Sequence, residues 1–138
     1  NIPGPIKNNS QLETLFQQGF QALTKFFKVE SQLDWLNRPT GPEAFLVVSD
    51  EPAVAKQQAV NFEDQHLLGR LFDVDVLQWH TEIKQAQPIS RQSLKQKPRR
   101  CLICEQPAKV CARSRRHSVS TLQAAINHQY QLYMEREG

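Results

Sequence analysis

The sequence predicts an α+β fold, in which a small mixed or antiparallel sheet has flanking helices. Two patterns support this prediction. Apolar residues recur at helical spacing near the start of the chain, and a later segment alternates between apolar and polar residues. The chain has 138 residues, which is enough for a domain with a single hydrophobic core. We therefore expect one domain over residues 1–138.

The first half of the chain predicts two helices with a short strand between them. The first helix covers residues 11–28, with Ser10 as its cap. Its apolar face consists of Leu12, Leu15, Phe16, Gly19, Phe20, Leu23 and Phe27. The segment DWLNRPTGPE contains two prolines and a glycine and predicts a loop, after which AFLVVS predicts a buried strand. A second helix is predicted over residues 51–63, because acids and Pro52 stand at its start.

The segment GRLFDVDVLQW, residues 69–79, alternates like a strand. Strand geometry places Leu71, Asp73, Asp75 and Leu77 on one face. A turn near HTEIKQAQ and a return at PIS predict a hairpin, and the chain from Arg91 to Arg100 is expected to be irregular. Two helices are predicted further on, in AKVCARSRRH and STLQAAINHQYQLYMERE, the second capped by Ser118 or Ser120.

Asp73 and Asp75 place two negative charges side by side in the predicted strand. Carboxylates at i and i+2 project from one face, about 6 to 7 Å apart by the rise of a strand. Such hard oxygen ligands suit Mg²⁺, and an acid pair near Arg and Lys favours phosphoryl or nucleotidyl transfer. The pattern also favours an analogy with the nucleotidyltransferase fold. The alternative is a solvated edge strand, on which charge discourages aggregation.

Positive charge is concentrated in residues 88–117, which contain nine Lys or Arg and one acid. This part carries a net charge of +8, and the rest of the chain carries −5. A local field of this size favours an anionic partner such as phosphates, nucleic acid or an acidic protein. Aromatic residues are sparse among these bases, so stacking on single-stranded nucleic acid is not supported.

The basic Cys/His segment, residues 98–117, has a spacing that suits zinc. Cys101, Cys104, Cys111 and His117 follow the pattern C-x2-C-x6-C-x5-H, and three thiols with an imidazole complete a tetrahedral set. The alternative is that the cysteines are small buried apolar residues. A continuous helix would point Cys111 and His117 to opposite sides, so the helix must end before His117 for a site to close.

The odd number of cysteines argues against a disulfide framework and favours a reducing compartment, which predicts a cytoplasmic protein. No apolar run approaches the roughly 20 residues needed to span a bilayer, so no membrane is expected as a partner.

Four pieces of the sequence resemble a known family in their order and spacing. The pieces are PGPIK, HLLGRLFDVDVL, ISR and KPRRCLICEQPAKVCARSRRH. They are similar to the apo-citrate lyase phosphoribosyl-dephospho-CoA transferases, also called holo-citrate-lyase acyl-carrier-protein synthases. The resemblance implies transfer from 2'-(5''-triphosphoribosyl)-3'-dephospho-CoA to a serine of the acyl-carrier subunit of citrate lyase, with loss of pyrophosphate. It also implies that family members carry a segment upstream of PGPIK that this chain lacks.

With this resemblance, we expect Asp73 and Asp75 to bind Mg²⁺. Glu63 is the candidate third carboxylate or base, and His66 is the alternative base unless it is a helix-end histidine bound to backbone. The candidate phosphate-binding residues are Lys7, Arg70, Arg91, Arg99 and Arg100. For Lys7 the alternative is an ordinary surface lysine. The basic face around residues 95–116 is expected to attract an acidic carrier protein.

Two other functions fit some of these features. A zinc-stabilised nucleic-acid-binding module would use the same basic segment, although nucleic acid is the less favoured partner. A non-catalytic assembly factor for citrate lyase would need the partner but not the chemistry.

Overall fold

The structure, a computed structural model, describes residues 10–36 and 38–137. It confirms the α+β prediction, with four α-helices and two small antiparallel sheets in the described residues. The helices are α1 (Ser10–Thr24), α2 (Pro52–Gln65), α3 (Ala108–Ser114) and α4 (Val119–Glu137). The strands are β1 (Val29–Trp35), β2 (Glu43–Val48), β3 (Val76–His80) and β4 (Gln85–Ile89). Two short 3-10 helices cover Gly69–Leu71 and Gln92–Leu94.

The core of the described residues is one cluster of buried apolar side chains. Helix α1 contributes Leu12, Leu15, Phe16, Phe20 and Leu23, all at the predicted spacing. The other members are Phe62, Leu68, Leu71, Phe72, Leu102, Ile126 and Tyr133. The helix ends at Thr24, earlier than predicted, because the following amides bond to carbonyls three residues back and tighten the last turn.

The predicted strand AFLVVS corresponds to β2, which pairs with β1 in an antiparallel hairpin. The prediction that this strand is buried is wrong, since Phe45 and Val47 are exposed and the other residues of β2 are only half-buried. The sequence did not predict β1, because most of the side chains in VESQLDW are exposed and show no apolar alternation. Leu33 of β1 lies opposite Phe45 of β2, and both are exposed. At the end of β1 the guanidinium of Arg38 lies 4.1 Å from the centre of the Trp35 ring.

The prediction that Asp73 and Asp75 lie within a strand is wrong. A 3-10 helix covers Gly69–Leu71, and β3 begins only at Val76, after four residues without regular structure. The strand begins at Val76 because its partner β4 ends opposite it at Ile89. The backbone amide and carbonyl of Val74 bond to side chains of α2 and not to a neighbouring strand. Residues 72–75 are called the acid segment below.

Two glycines let the chain pass close to its neighbours around this segment. A Cβ at Gly19 of α1 would overlap the ring of Phe72. A Cβ at Gly69 would overlap the carbonyl oxygen of Phe62 and crowd that of Glu63, at the end of α2. The acid segment is therefore packed against α1 through Phe72, and the 3-10 helix just before it is packed against α2.

The predicted hairpin after the acid segment is confirmed as β3 and β4, with Val76 opposite Ile89. The predicted helix AKVCARSRRH is shorter than expected, since α3 ends at Ser114 and Arg115 adopts a left-handed conformation with φ 49°. Ser118 is the cap of α4, because its hydroxyl accepts the amide proton of Thr121 at 3.1 Å. In the described part of the chain, no helix is both long and apolar enough to cross a membrane.

Candidate active site and metal cluster

The acid segment lies along a cavity of about 510 Å³ that also contacts α1 and β2. Asp73 is half-buried and Asp75 is exposed, and both line the cavity. Five phenylalanines contribute to its wall, namely Phe16, Phe20, Phe27, Phe45 and Phe72. An apolar cavity with carboxylates in its lining is the usual form of a small-molecule site.

Glu63 fixes the backbone between the two aspartates. It is a buried acid on α2, and its Oε2 accepts a hydrogen bond from the amide of Val74 at 2.8 Å. The Nζ of Lys56, about two turns earlier on the same face of α2, donates to the carbonyl of Val74 at 3.3 Å. The backbone amide and the backbone carbonyl of Val74 are thus both held by side chains of α2. The positions of Asp73 and Asp75 therefore depend on this helix.

Arg91 balances the charge of Glu63. Its Nη2 lies 2.7 Å from Oε1 of Glu63 and 3.1 Å from Oδ1 of Asp64, and only 10% of its side chain is exposed. Burial lowers the pKa of Arg91, but the hydrogen bonds and charges of Glu63 and Asp64 outweigh burial and raise it. Arg91 also donates to the carbonyl of Lys97 at 3.2 Å, so it ties the loop after β4 to α2.

His66 lies at the end of α2 and is hydrogen-bonded to backbone, which is the alternative that the sequence left open for this residue. Its Nδ1 accepts the amide proton of Leu68 at 3.1 Å, and its ring stacks on Phe62 with centroids 4.9 Å apart. The neutral ring therefore carries its proton on Nε2, which makes Nε2 a hydrogen-bond donor. Tyr133 of α4 lies on the same side, with ring centroids 6.3 Å apart.

Three of the candidate phosphate-binding arginines lie at the junction of the acid segment and the basic Cys/His segment. The Nε of Arg99 is 4.0 Å from Oδ1 of Asp73. Arg70 and Arg100 both pair with the exposed Glu105, Arg70 at a distance of 3.9 Å. All three guanidinium groups are partly exposed, so they remain accessible to an anion. Lys7, another candidate phosphate-binding residue, is the last residue of PGPIK, and this whole piece lies outside the described residues.

The four predicted metal ligands, Cys101, Cys104, Cys111 and His117, come together. One ligand atom from each lies within 4.8 Å of all the others, and no other such group of three or more occurs in residues 10–36 and 38–137. The Sγ atoms of Cys104 and Cys111 are 3.4 Å apart. The Nε2 of His117 is buried and has no hydrogen-bond partner among the described residues. This donor set could hold a metal ion.

Local backbone structure explains why the cluster forms. The amide of Cys101 donates to the carbonyl of Gln106 at 2.8 Å, and the amide of Ala108 donates to the carbonyl of Arg99 at 2.7 Å. These bonds close residues 99–108 into a tight loop that holds Cys101 and Cys104 together. The left-handed turn at Arg115 then ends α3, and His117 returns towards the thiols. The helix break that the sequence required is therefore present.

The cluster has thiols of unequal acidity. Burial raises the pKa of Cys101, but hydrogen bonds from the backbone amides of Ile103 and Cys104 and from the neighbouring thiols outweigh burial and lower it. Burial, together with the neighbouring thiols of Cys104 and Cys101, raises the pKa of the Cys111 thiol to about 11. Several thiolates at this spacing require a cation to balance them.

Comparison with known proteins identifies the family. The model of the family described as apo-citrate lyase phosphoribosyl-dephospho-CoA transferase matches residues 1–133. The chain belongs to this family. A probable apo-citrate lyase phosphoribosyl-dephospho-CoA transferase from Vibrio cholerae serotype O1 (strain M66-2) is 41% identical over 133 residues, which cover 91% of this chain and 71% of the relative.

Two other relatives are also similar to most of this chain. An apo-citrate lyase phosphoribosyl-dephospho-CoA transferase from Citrobacter koseri is 36% identical over 127 residues, which cover 87% of this chain and 65% of the relative. A protein named CitXG from Leuconostoc mesenteroides subsp. cremoris is 35% identical over 130 residues, 92% of this chain and 27% of the relative. The chain therefore spans only part of the length of the relatives it matches.

In this member of the transferase family, sequence reasoning missed Lys56, Asp64 and Glu105. Lys56 had a detectable signal, because it shares a helical face with Val60 and Glu63, and a charge on a buried face needs a partner. Asp64 had none, since its partner Arg91 is far away in the sequence. Glu105 had a local partner in Arg100, five residues before it, but its pair with Arg70 joins distant parts of the sequence.

Proposed function

We propose that this chain performs the transfer for which its family is named. The phosphoribosyl-dephospho-CoA group of 2'-(5''-triphosphoribosyl)-3'-dephospho-CoA is joined to a serine of the acyl-carrier subunit of citrate lyase, and pyrophosphate is released. The observation that supports this most is the acid pair beside Arg99 on an apolar cavity, in a chain that matches the family over residues 1–133. The match does not favour the nucleic-acid-binding module or the assembly factor.

The reaction is a nucleotidyl-type transfer. The serine Oγ forms a bond to the α-phosphorus of the triphosphate, and the bond from that phosphorus to the bridging oxygen breaks. Pyrophosphate leaves with the electron pair, and the hydroxyl proton is released to water. Such transition states are loose, so the protein contributes mainly positioning and compensation of charge.

Asp73 and Asp75 are the residues that would hold Mg²⁺. Their oxygen donors suit this ion, and their exposure leaves room for water and phosphate ligands. Bound Mg²⁺ would neutralise charge on the triphosphate and on the departing pyrophosphate. Arg99, Arg70 and Arg100 would hold phosphate oxygens, for which their partly exposed guanidinium groups are suitable donors.

Glu63, His66 and Arg91 have contacts that favour positioning roles over direct chemistry. Glu63 accepts hydrogen bonds from Arg91 and Val74, and Arg91 is mostly buried. His66 holds the end of α2 through the amide of Leu68. We therefore propose that these three residues keep the acid segment in place, and that neither Glu63 nor His66 is the base.

We also propose that Zn²⁺ is the ion suited to the cysteine and histidine cluster. A Zn–S bond of about 2.3 Å in a tetrahedron places sulfurs about 3.8 Å apart. The ligand atoms all lie within 4.8 Å of one another, and the Sγ atoms of Cys104 and Cys111 are 3.4 Å apart, so small shifts of the side chains reach that geometry. Elemental analysis of the purified protein should give about one zinc per chain. Absence of stoichiometric metal would remove this site.

The exposed arginines of the basic Cys/His segment form a face for the carrier subunit. Arg113, Arg115 and Arg116 are all exposed around the end of α3. Acyl-carrier proteins are usually acidic, so attraction to this face would orient the serine before transfer. The free cysteines and this partner fit the cytoplasm.

Mass spectrometry of the carrier subunit tests the proposal directly. The carrier is incubated with the chain, the triphosphoribosyl donor and Mg²⁺, and its mass should increase by the phosphoribosyl-dephospho-CoA group. Asp73→Asn should lower the rate at least about 100-fold, because it removes a charged ligand of the Mg²⁺ that would neutralise the reacting phosphates. Asp34→Asn, at an exposed position of β1, is the matched control and should be as active as wild type. Normal labelling by the Asp73 variant would refute the metal role.

A further inference from the structure

We infer that the metal cluster positions Arg99 opposite Asp73, so that occupancy of the cluster by zinc determines how tightly the chain binds the triphosphate of its donor. This inference rests on the proposed function, because it assigns the phosphate-binding role to Arg99. The cluster would therefore contribute to phosphate binding by positioning Arg99, although the metal itself takes no part in the reaction. Four protein ligands leave zinc no open position, which is typical of a structural site.

The backbone of Arg99 belongs to the metal-binding loop. Its carbonyl accepts the amide proton of Ala108, the first residue of α3, at 2.7 Å. Two residues later, Cys101 supplies a ligand atom and bonds through its amide to Gln106 at 2.8 Å. Arg100 and Pro107 form an antiparallel bridge between these bonds. Arg99 therefore cannot move independently of Cys101.

The ion pair between Arg99 and Asp73 is too weak to set this arrangement by itself. The atoms are 4.0 Å apart, and the side chains are 26% and 39% exposed. A partly exposed pair of this kind contributes little free energy, since water screens it and ordering the side chains costs entropy. The position of the guanidinium must therefore come from the backbone that carries it.

Little besides the cluster holds this backbone in place. In residues 99–117 the buried side chains are those of Cys101, Leu102 and Cys111, and two of these three are metal ligands. Helix α3 has 7 residues, too few to be stable alone. The pairs of Glu105 with Arg70 and Arg100 are exposed. A segment with so small a core depends on a metal for its fold.

The test measures binding of inorganic triphosphate in the presence of Mg²⁺ by calorimetry, together with zinc content and far-ultraviolet circular dichroism. Arg99→Gln should weaken binding about tenfold, as expected for loss of a charged hydrogen bond. Cys104→Ser should lose zinc and weaken binding to a similar extent. The double variant should be no weaker than either single variant, because both remove the same contact. Lys109→Gln, an exposed charge on α3, is the matched control and should change affinity less than twofold.

A second arm removes zinc from the wild type with a zinc-selective chelator and then restores it. Chelation should reproduce the tenfold loss in the wild type and add nothing to Arg99→Gln, and zinc should reverse it. This arm decides the question if Cys104→Ser proves to be unfolded. Full affinity after verified loss of zinc, or additive losses in the double variant, would overturn the inference.

Labelling of the carrier separates this inference from the proposed function. If the zinc-free chain still labels the carrier and binds triphosphate normally, only the positioning role fails. If the zinc-loaded wild type neither binds triphosphate nor labels the carrier, the proposed function fails with it.

Discussion

Glu63 is the residue on which the geometry of the acid segment depends most. It is 3% exposed, and its two oxygens serve two separate parts of the chain, the amide of Val74 and the guanidinium of Arg91. A buried carboxylate is tolerated here because a charge and a hydrogen-bond donor both compensate it. Stability and site geometry are therefore coupled at this one side chain.

Glu63→Gln should destabilise the fold by about 3 kcal/mol, since it leaves Arg91 buried without its main counter-charge. The measurement is the free energy of unfolding in urea. Glu43→Gln is the matched control, because Glu43 pairs with Arg38 at 3.2 Å but both side chains are partly exposed. That variant should lose less than about 1 kcal/mol. Equal losses in the two variants would show that burial does not strengthen the Glu63 pair.

The 3-10 helix Gly69–Leu71 is the element that turns the chain from α2 into the acid segment. It packs so closely against the last turn of α2 that only a residue without a Cβ fits at Gly69. The obstacles are backbone carbonyls, which cannot move aside as the end of a side chain can. The distance between α2 and the acid segment is thus fixed by a backbone contact.

Gly69→Ala should destabilise the protein by about 2 kcal/mol, in the range found for overpacked sites. It should also slow carrier labelling, because the acid segment must shift to admit the methyl group. Gln65→Ala, at the exposed end of α2, tests whether a new alanine alone has this effect, and it should change stability by less than about 0.5 kcal/mol. Thermal unfolding and the labelling rate check both. A stable, fully active Gly69 variant would contradict the close packing.

Elements with a local signal could be predicted from the sequence, and those that depend on distant contacts could not. Helix α1 and the spacing of the cysteine cluster are local, and both were found. Strand β1 was missed because it is exposed and gains its structure from β2. Alternation predicts a strand for the acid segment because it cannot reveal that β4 ends at Ile89 and that the backbone of Val74 bonds to α2.

In the candidate site, too, the contacts between residues that are far apart in the sequence could not be predicted. The residue types at Asp73 and Asp75 predict a Mg²⁺ site from the sequence alone, and this stays a prediction. The pair of Glu63 with Arg91 joins residues far apart in the sequence, so only the fold shows that both serve the acid segment. Sequence spacing detects ligands on one turn or loop, whereas partners from separate elements depend on how the core packs.

At the scale of the whole molecule, charge is divided between two regions. Residues 88–117 carry +8 while the chain as a whole carries +3, so the remaining residues are acidic overall. A carrier protein of negative charge should therefore be attracted to the basic part and repelled elsewhere. This division would orient the encounter before any specific contact forms.

The variant Arg113→Gln/Arg115→Gln/Arg116→Gln tests this orientation. At about 0.1 M salt, where the screening length is about 10 Å, we expect kcat/KM for the carrier to fall about tenfold. At about 1 M salt the screening length is about 3 Å, and the difference from wild type should largely disappear. kcat at saturating carrier should change little at either salt concentration, because these arginines act on encounter and not on the phosphates.

The control removes the same charge from elsewhere on the surface. Lys25→Gln/Lys28→Gln/Lys84→Gln lies at exposed positions and also reduces the formal net charge from +3 to zero. If only the arginine variant loses kcat/KM, the local field directs the carrier. If both variants lose it equally, net charge is sufficient, and the face around the end of α3 has no special part in docking. Zinc content should be measured in both, since Arg115 and Arg116 lie beside His117 and a lost metal would imitate a lost field.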